Sequence, residues 1–147
     1  MTRYRSKLEA VVKQRQLREE EIQKEFSDMK NHLQSEGDRL GKLRQEMEET
    51  IEKLGEKQAQ EMGMNEIDIY YRFMNRQNEK LHDQQKVVQD LTDACELKRE
   101  ELSSAMREKK VVEKIEADRQ ENFDKELKRK EQHVLDEIAG RPAGEVS

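Results

Sequence analysis

An apolar stripe with coiled-coil spacing runs through the first part of this chain. Steps alternating four and three from residue 8 give fourteen positions up to residue 54, and ten are apolar: Leu8, Val12, Ile22, Phe26, Met29, Leu33, Leu40, Leu43, Met47 and Leu54. The exceptions are Arg15, Glu19, Glu36 and Thr50. A stripe held this long indicates one helix that must bury a narrow seam against another. At 32% hydrophobic and 43% charged, against roughly 45–50% and 25% in an ordinary globular domain, the chain cannot fill a compact core. Disorder is one outcome of that deficit. A coiled coil is the other, since it needs apolar residues at only two positions in seven, and the wealth of Glu, Lys, Gln, Arg and Leu favours it. Gly37 and Gly41 lie within the stripe, each costing about 1 kcal/mol against Ala. They mark a soft spot or, more simply, tolerated solvent-facing positions.

The pattern lapses from Gly55 to Gly63. Asn65 then reads as a helix cap with Asp68 three residues on, and Met64 and Ile69 as a hydrophobic staple. The expected layout is a first helix over 3–58, a turn over 59–64, a second helix over 65–139 and a disordered tail over 140–147, with Gly140 and Pro142 supplying the stop. The second stripe reads Phe73, Met74, Leu81, Val88, Leu91, Cys95, Leu102 and Ala105. It then drifts to Val112, Ile115, Phe123, Leu127, Val134 and Ile138, and its steps of four predict relaxed supercoiling near Lys109. The expected fold class is all-α: a long two-helix antiparallel coiled-coil hairpin, the second helix longer than the first. A turn near 61 puts residue i opposite about 123 − i, so Leu54 faces Tyr70 and Leu8 faces Glu116. The second helix should overhang by roughly twenty residues. That leaves Phe123, Leu127, Val134, Leu135 and Ile138 as an unpartnered stripe, which suggests a binding surface.

Charge is sorted along the chain. Residues 1–18 carry net +5, residues 19–66 net −7 and residues 98–130 net +2. In a hairpin the end holding the termini is therefore basic and the turn end acidic, an arrangement that can orient in a partner's field; solvated helix faces are the simpler account of any single charge. The overall charge of −5 argues against nucleic acid as a partner. No apolar run suits a membrane span or a signal peptide, and a single Cys fits a reducing compartment. The expected location is cytoplasmic.

Catalytic chemistry finds no footing. His32, His82 and His133 are far apart and lack companions at metal-ligand spacing. No glycine-rich phosphate loop follows a strand, and Cys95 falls on the seam as a small core side chain. Carboxylates on a rod stay solvated. The sequence reads as a non-enzyme with no cofactor, no metal and no small-molecule substrate. Tyr70, Tyr71 and Phe73 make up half of the six aromatic residues. They span too wide an arc for one seam. One face can pack on Ile51 and Leu54 while the other forms an interaction hot spot, or all of them thicken a small core.

Two segments resemble a known family. GMNEIDIYYRFMNRQNEKL at 63–81 carries a Tyr-x-x-Phe pair opening the second helix, and AMREKKVVEKIEADRQENFDKELKRKEQHVLDEIA at 105–139 closes on LDEIA. With the chain length and the unequal helices, they resemble the FliJ family of flagellar type III protein export. The resemblance implies a stalk that inserts its open end into the export ATPase ring, promotes ring assembly and activity, and reaches the membrane-embedded export gate. It also implies binding of export chaperones and a place at the inner face of the cell membrane. On that reading the gate contact comprises Tyr70, Tyr71, Phe73, Gln77 and Leu81, with Gln77 departing from the apolar residue expected there. The ATPase-ring contact comprises Arg3, Arg5, Lys7, Phe123, Leu127, Val134, Leu135 and Ile138, and the free protein is expected to be a monomer. The stalk of a virulence type III secretion system and a structural coiled-coil scaffold are the competing readings.

Overall fold

A computed structural model describes Tyr4 and residues 6–140. It contains two helices, α1 (Glu9–Ala59, 51 residues) and α2 (Met64–Ala139, 76 residues), packed against each other. Among the described residues there is no strand. All fourteen seam positions counted from Leu8 to Leu54 are buried or half-buried. Gly37 and Gly41 face open space, where an added Cβ would meet nothing within 4 Å.

On α2 the heptad is stricter than the apolar residues alone indicate. Ile67, Tyr70, Met74, Gln77, Leu81, Gln84, Val88, Leu91, Cys95, Lys98, Leu102, Ala105, Lys109, Val112 and Glu116 alternate steps of three and four, and each is buried or half-buried. Phe73 and Ile115 are exposed and lie off the seam. The expected drift near Lys109 is therefore absent: Lys109 itself fills the seam position, so the repeat continues through a residue that an apolar count skips.

The contacts divide into two compact units, Glu21–Leu102 and Met1–Glu20 with Ser103–Ser147. In the first unit the core consists of Ile22, Leu40 and Leu54 from α1 and Cys95 from α2. Two polar residues are buried with them. Thr50 Oγ1 donates to the Glu46 carbonyl at 2.8 Å. Gln84 Nε2 donates to both the Glu36 carbonyl, at 3.0 Å, and the Glu36 carboxylate, at 2.5 Å. Lys98 Nζ sits 2.6 Å from Glu25 and 3.1 Å from Glu101.

The turn differs from its expected frame by two residues. The Gly63 carbonyl accepts from the Glu66 and Ile67 amides, so Gly63 caps α2 and Met64 is its first residue. The staple positions then become Met62 and Ile67, both half-buried, whereas Met64 and Ile69 are exposed. Glu66 places a carboxylate in the first turn, where the helix dipole favours it. After α1, Glu61 adopts φ 58°, a left-handed position usually taken by Gly.

Among the described residues of the terminal unit, Ala105 alone is a buried apolar residue. Two ion pairs cross between the helices: Arg15 with Glu108 at 2.8 Å and Lys109 with Glu19 at 2.7 Å. The pairs Arg15–Glu108 and Lys98–Glu25, one in each unit, both fit the register expected from a turn near residue 61. Helix α1 starts at Glu9 rather than at residue 3. The Leu8 carbonyl accepts the Val12 amide, and Ser6 Oγ accepts the Leu8 amide at 3.1 Å. Before α1, the Tyr4 ring lies 5.3 Å from that of Phe123 on α2. Helix α2 ends at Ala139, where the Gly140 amide donates to the Asp136 carbonyl.

Candidate functional site

Heptad geometry sorts the aromatic cluster after the turn into two groups. Tyr70, Gln77 and Leu81 occupy seam positions and face α1. Lys57 of α1 lies 5.0 Å from the centre of the Tyr70 ring, and the side-chain oxygen of Gln77 is buried without a hydrogen-bond partner. Tyr71 and Phe73 point away from the seam, at 49% and 45% exposure. Two residues apart on a helix, they project from different sides of α2, so the five candidate residues do not share one surface. Ile51, expected to cover part of this cluster, is itself exposed, while Leu54 is buried. Ile69 is exposed one turn before Phe73 and extends its stripe. The i, i+4 spacing of the two was visible in the sequence, but Ile69 was absorbed into the staple.

The terminal candidates are also divided. Phe123 and Leu127 are half-buried, and Phe123 is partnered by Tyr4. The expected bare stripe therefore shortens to Val134, Leu135 and Ile138, at 53%, 59% and 61% exposure. A shallow depression among Lys130, Glu131, Val134 and Leu135 lies on it. Lys7 is exposed, and Arg3 and Arg5 lie outside the described residues. Tyr4 was missed because an isolated aromatic upstream of the repeat carries no periodic signal. Its hydroxyl is held above its ordinary pKa, first by burial and then by hydrogen bonding to Glu116.

A family model described as flagellar FliJ protein matches residues 4–145, a span that contains both surfaces. The chain belongs to the FliJ family. No curated protein and no solved structure matches it. Membership in FliJ ties the chain to flagellar protein export. Among the described residues no three His, Cys, Asp or Glu side chains are grouped to hold a metal ion. No helix of these residues is long and apolar enough to cross a membrane.

Proposed function

We propose that this chain is the export stalk of its flagellar system. It inserts into the export ATPase ring, promotes the ring's assembly and activity, and connects it to the membrane export gate and to export chaperones. The observation that carries the reading is the exposed trio Val134, Leu135 and Ile138. These side chains extend the heptad face of α2 past the residues that α1 and Tyr4 cover, and helical partners recognise such a face at i, i+4 spacing. Lys7, with Arg3 and Arg5, supplies basic charge for the same ATPase contact, and Phe123 and Leu127 support the trio from within the unit. The gate contact rests on Phe73 and Tyr71, with Ile69 beside Phe73. Tyr70, Gln77 and Leu81 set the orientation of this turn of α2 from the seam. A soluble coiled coil working at the inner face of the cell membrane satisfies this role without spanning it.

The test measures ATP hydrolysis and hexamer formation by the cognate export ATPase with and without the protein. Stimulation should be lost in V134S/L135S/I138S and retained in Y71S/F73S, while binding to the gate should show the opposite pattern. Absence of stimulation by the unaltered protein at several-fold excess would overturn the stalk reading. Equal effects of the two variants on both assays would overturn the division into two surfaces.

A further inference from the structure

Tyr4 is fastened to α2 by the tip of one side chain. Its ring is tilted at 52° over that of Phe123, 5.3 Å away, and its hydroxyl hydrogen-bonds Glu116. It lies four residues ahead of Leu8, where the apolar stripe begins. A cavity of about 1020 Å³ opens among Tyr4, Ser6, Glu9, Val12, Gln16 and Glu116, so the ring is not embedded in a continuous core. The two helices have holds of their own. The first turn of α1 is set by the Leu8 carbonyl and the Ser6 hydroxyl, and Arg15–Glu108 and Lys109–Glu19 join the helices in this unit. Lifting Tyr4 breaks none of these bonds. It also has a compensation: Oε2 of Glu116 is buried without a hydrogen-bond partner, and a buried acceptor regains water when its cover leaves.

We infer that Tyr4 is a displaceable latch, closed over Phe123 in the free chain and swung away when a partner helix lies along this face of α2. Eleven residues separate Phe123 from Val134, about three helical turns, so the two share a side of the helix. Opening therefore adds Phe123 to the exposed stripe of Val134 and Ile138, while closing withholds it. One aromatic contact and one hydrogen bond each favour the closed state by roughly three- to tenfold, a bias that partner binding can overcome. The identity of the partner rests on the stalk reading; the latch itself does not.

The chain has no Trp, so F123W places a single indole under the latch and keeps an aromatic pair with Tyr4. Adding Y4A should raise acrylamide quenching of that indole at least about threefold, with helical circular dichroism unchanged. Val112 is half-buried on the seam, so a thiol there reports parting of the helices. On a C95A background, the labelling rate of V112C should be the same with and without Y4A. In the otherwise unaltered chain, Y4A should lower the concentration giving half-maximal stimulation of the export ATPase at least about threefold, because a cover that must open first reduces apparent affinity by the open fraction. Quenching that Y4A leaves unchanged would overturn the inference. So would faster labelling of V112C, which would make Tyr4 part of the packed unit, or a half-maximal concentration that stays the same or rises. If the unaltered chain does not stimulate the ATPase, the stalk reading falls, and quenching and labelling decide the latch alone.

Discussion

The four residues that break the apolar pattern of α1 are where single side chains do the most to fix the fold. Arg15 and Glu19 meet Glu108 and Lys109, Glu36 receives Gln84, and Thr50 bonds back to its own helix. Of these contacts, the Glu19–Lys109 pair has a consequence for pH. The Lys109 ammonium is held above its ordinary pKa chiefly by its hydrogen bond to Glu19, and Lys98 is held up by Glu25 and then by Glu101. A lysine whose folded pKa exceeds its unfolded value stabilises the fold fully below the unfolded pKa, and this stabilisation disappears as pH rises through the folded pKa. Stability should therefore hold at about pH 9 and fall through and above about pH 10.5. In K98R/K109R, whose guanidinium groups remain charged there, the alkaline loss should be smaller. Urea midpoints of both proteins across this range measure the difference.

At the scale of the elements, a run of apolar residues at heptad spacing was sufficient to read α1 from the sequence. Leu8 to Leu54 offered ten apolar landmarks, and the interval between residues fixed the frame without help from Arg15 or Glu36. Helix α2 was harder because Gln77, Gln84, Lys98, Lys109 and Glu116 share its seam. A count of apolar residues passes over them and picks up Phe73 and Ile115 from the flanks. The same substitution of neighbours for true seam residues moved the staple from Met62 and Ile67 to Met64 and Ile69. The two candidate surfaces were legible as groups of exposed apolar residues, but not their inner members, since burial by Tyr4 depends on a segment with no repeat. Gln84 shows what polar seam residues contribute. Buried at 8% exposure with both amide hydrogens donated to Glu36, it fits only one alignment of the helices, as a lone polar seam residue does in other coiled coils. Replacing it with Leu removes that restriction while adding apolar contact. Q84L should gain about 1 kcal/mol in thermal or chemical denaturation. Spin labels at Ser35 and Lys86, on a Cys95→Ala background, should show a broader distance distribution than with Gln84 in place. A variant that is both less stable and equally well ordered would contradict a register role.

Across the whole molecule the burial is uneven, and local stability should follow it. Among the described residues, Glu21–Leu102 buries the apolar side chains Ile22, Leu40, Leu54 and Cys95, whereas the terminal unit buries Ala105 alone. The seam of the terminal unit holds Arg15, Glu19, Lys109 and Glu116 beside Leu8, Val12, Ala105 and Val112, whereas the only charged seam residues of Glu21–Leu102 are Glu36 and Lys98. Exposed ion pairs such as Arg15–Glu108 contribute at most about 1 kcal/mol each, less than the roughly 1.5–3 kcal/mol of a fully buried aliphatic side chain. Opening therefore costs less where the seam is charged, and amide exchange reports that cost segment by segment. Native-state hydrogen exchange should show the amides of residues 22–54 and 67–102 converging on the free energy of global unfolding. Those of residues 9–20 and 103–139 should exchange through cheaper openings, with the last turns around Val134 and Ile138 least protected. Added salt should widen the gap, because screening weakens the pairs and leaves apolar burial in place. Replacing Glu19 and Lys109 together with Leu converts the charged layer to an apolar one. In E19L/K109L, protection over residues 9–20 and 105–116 should rise toward that of the Glu21–Leu102 unit. Uniform protection along both helices of the unaltered chain would show instead that the charged seam is as strong as the apolar one.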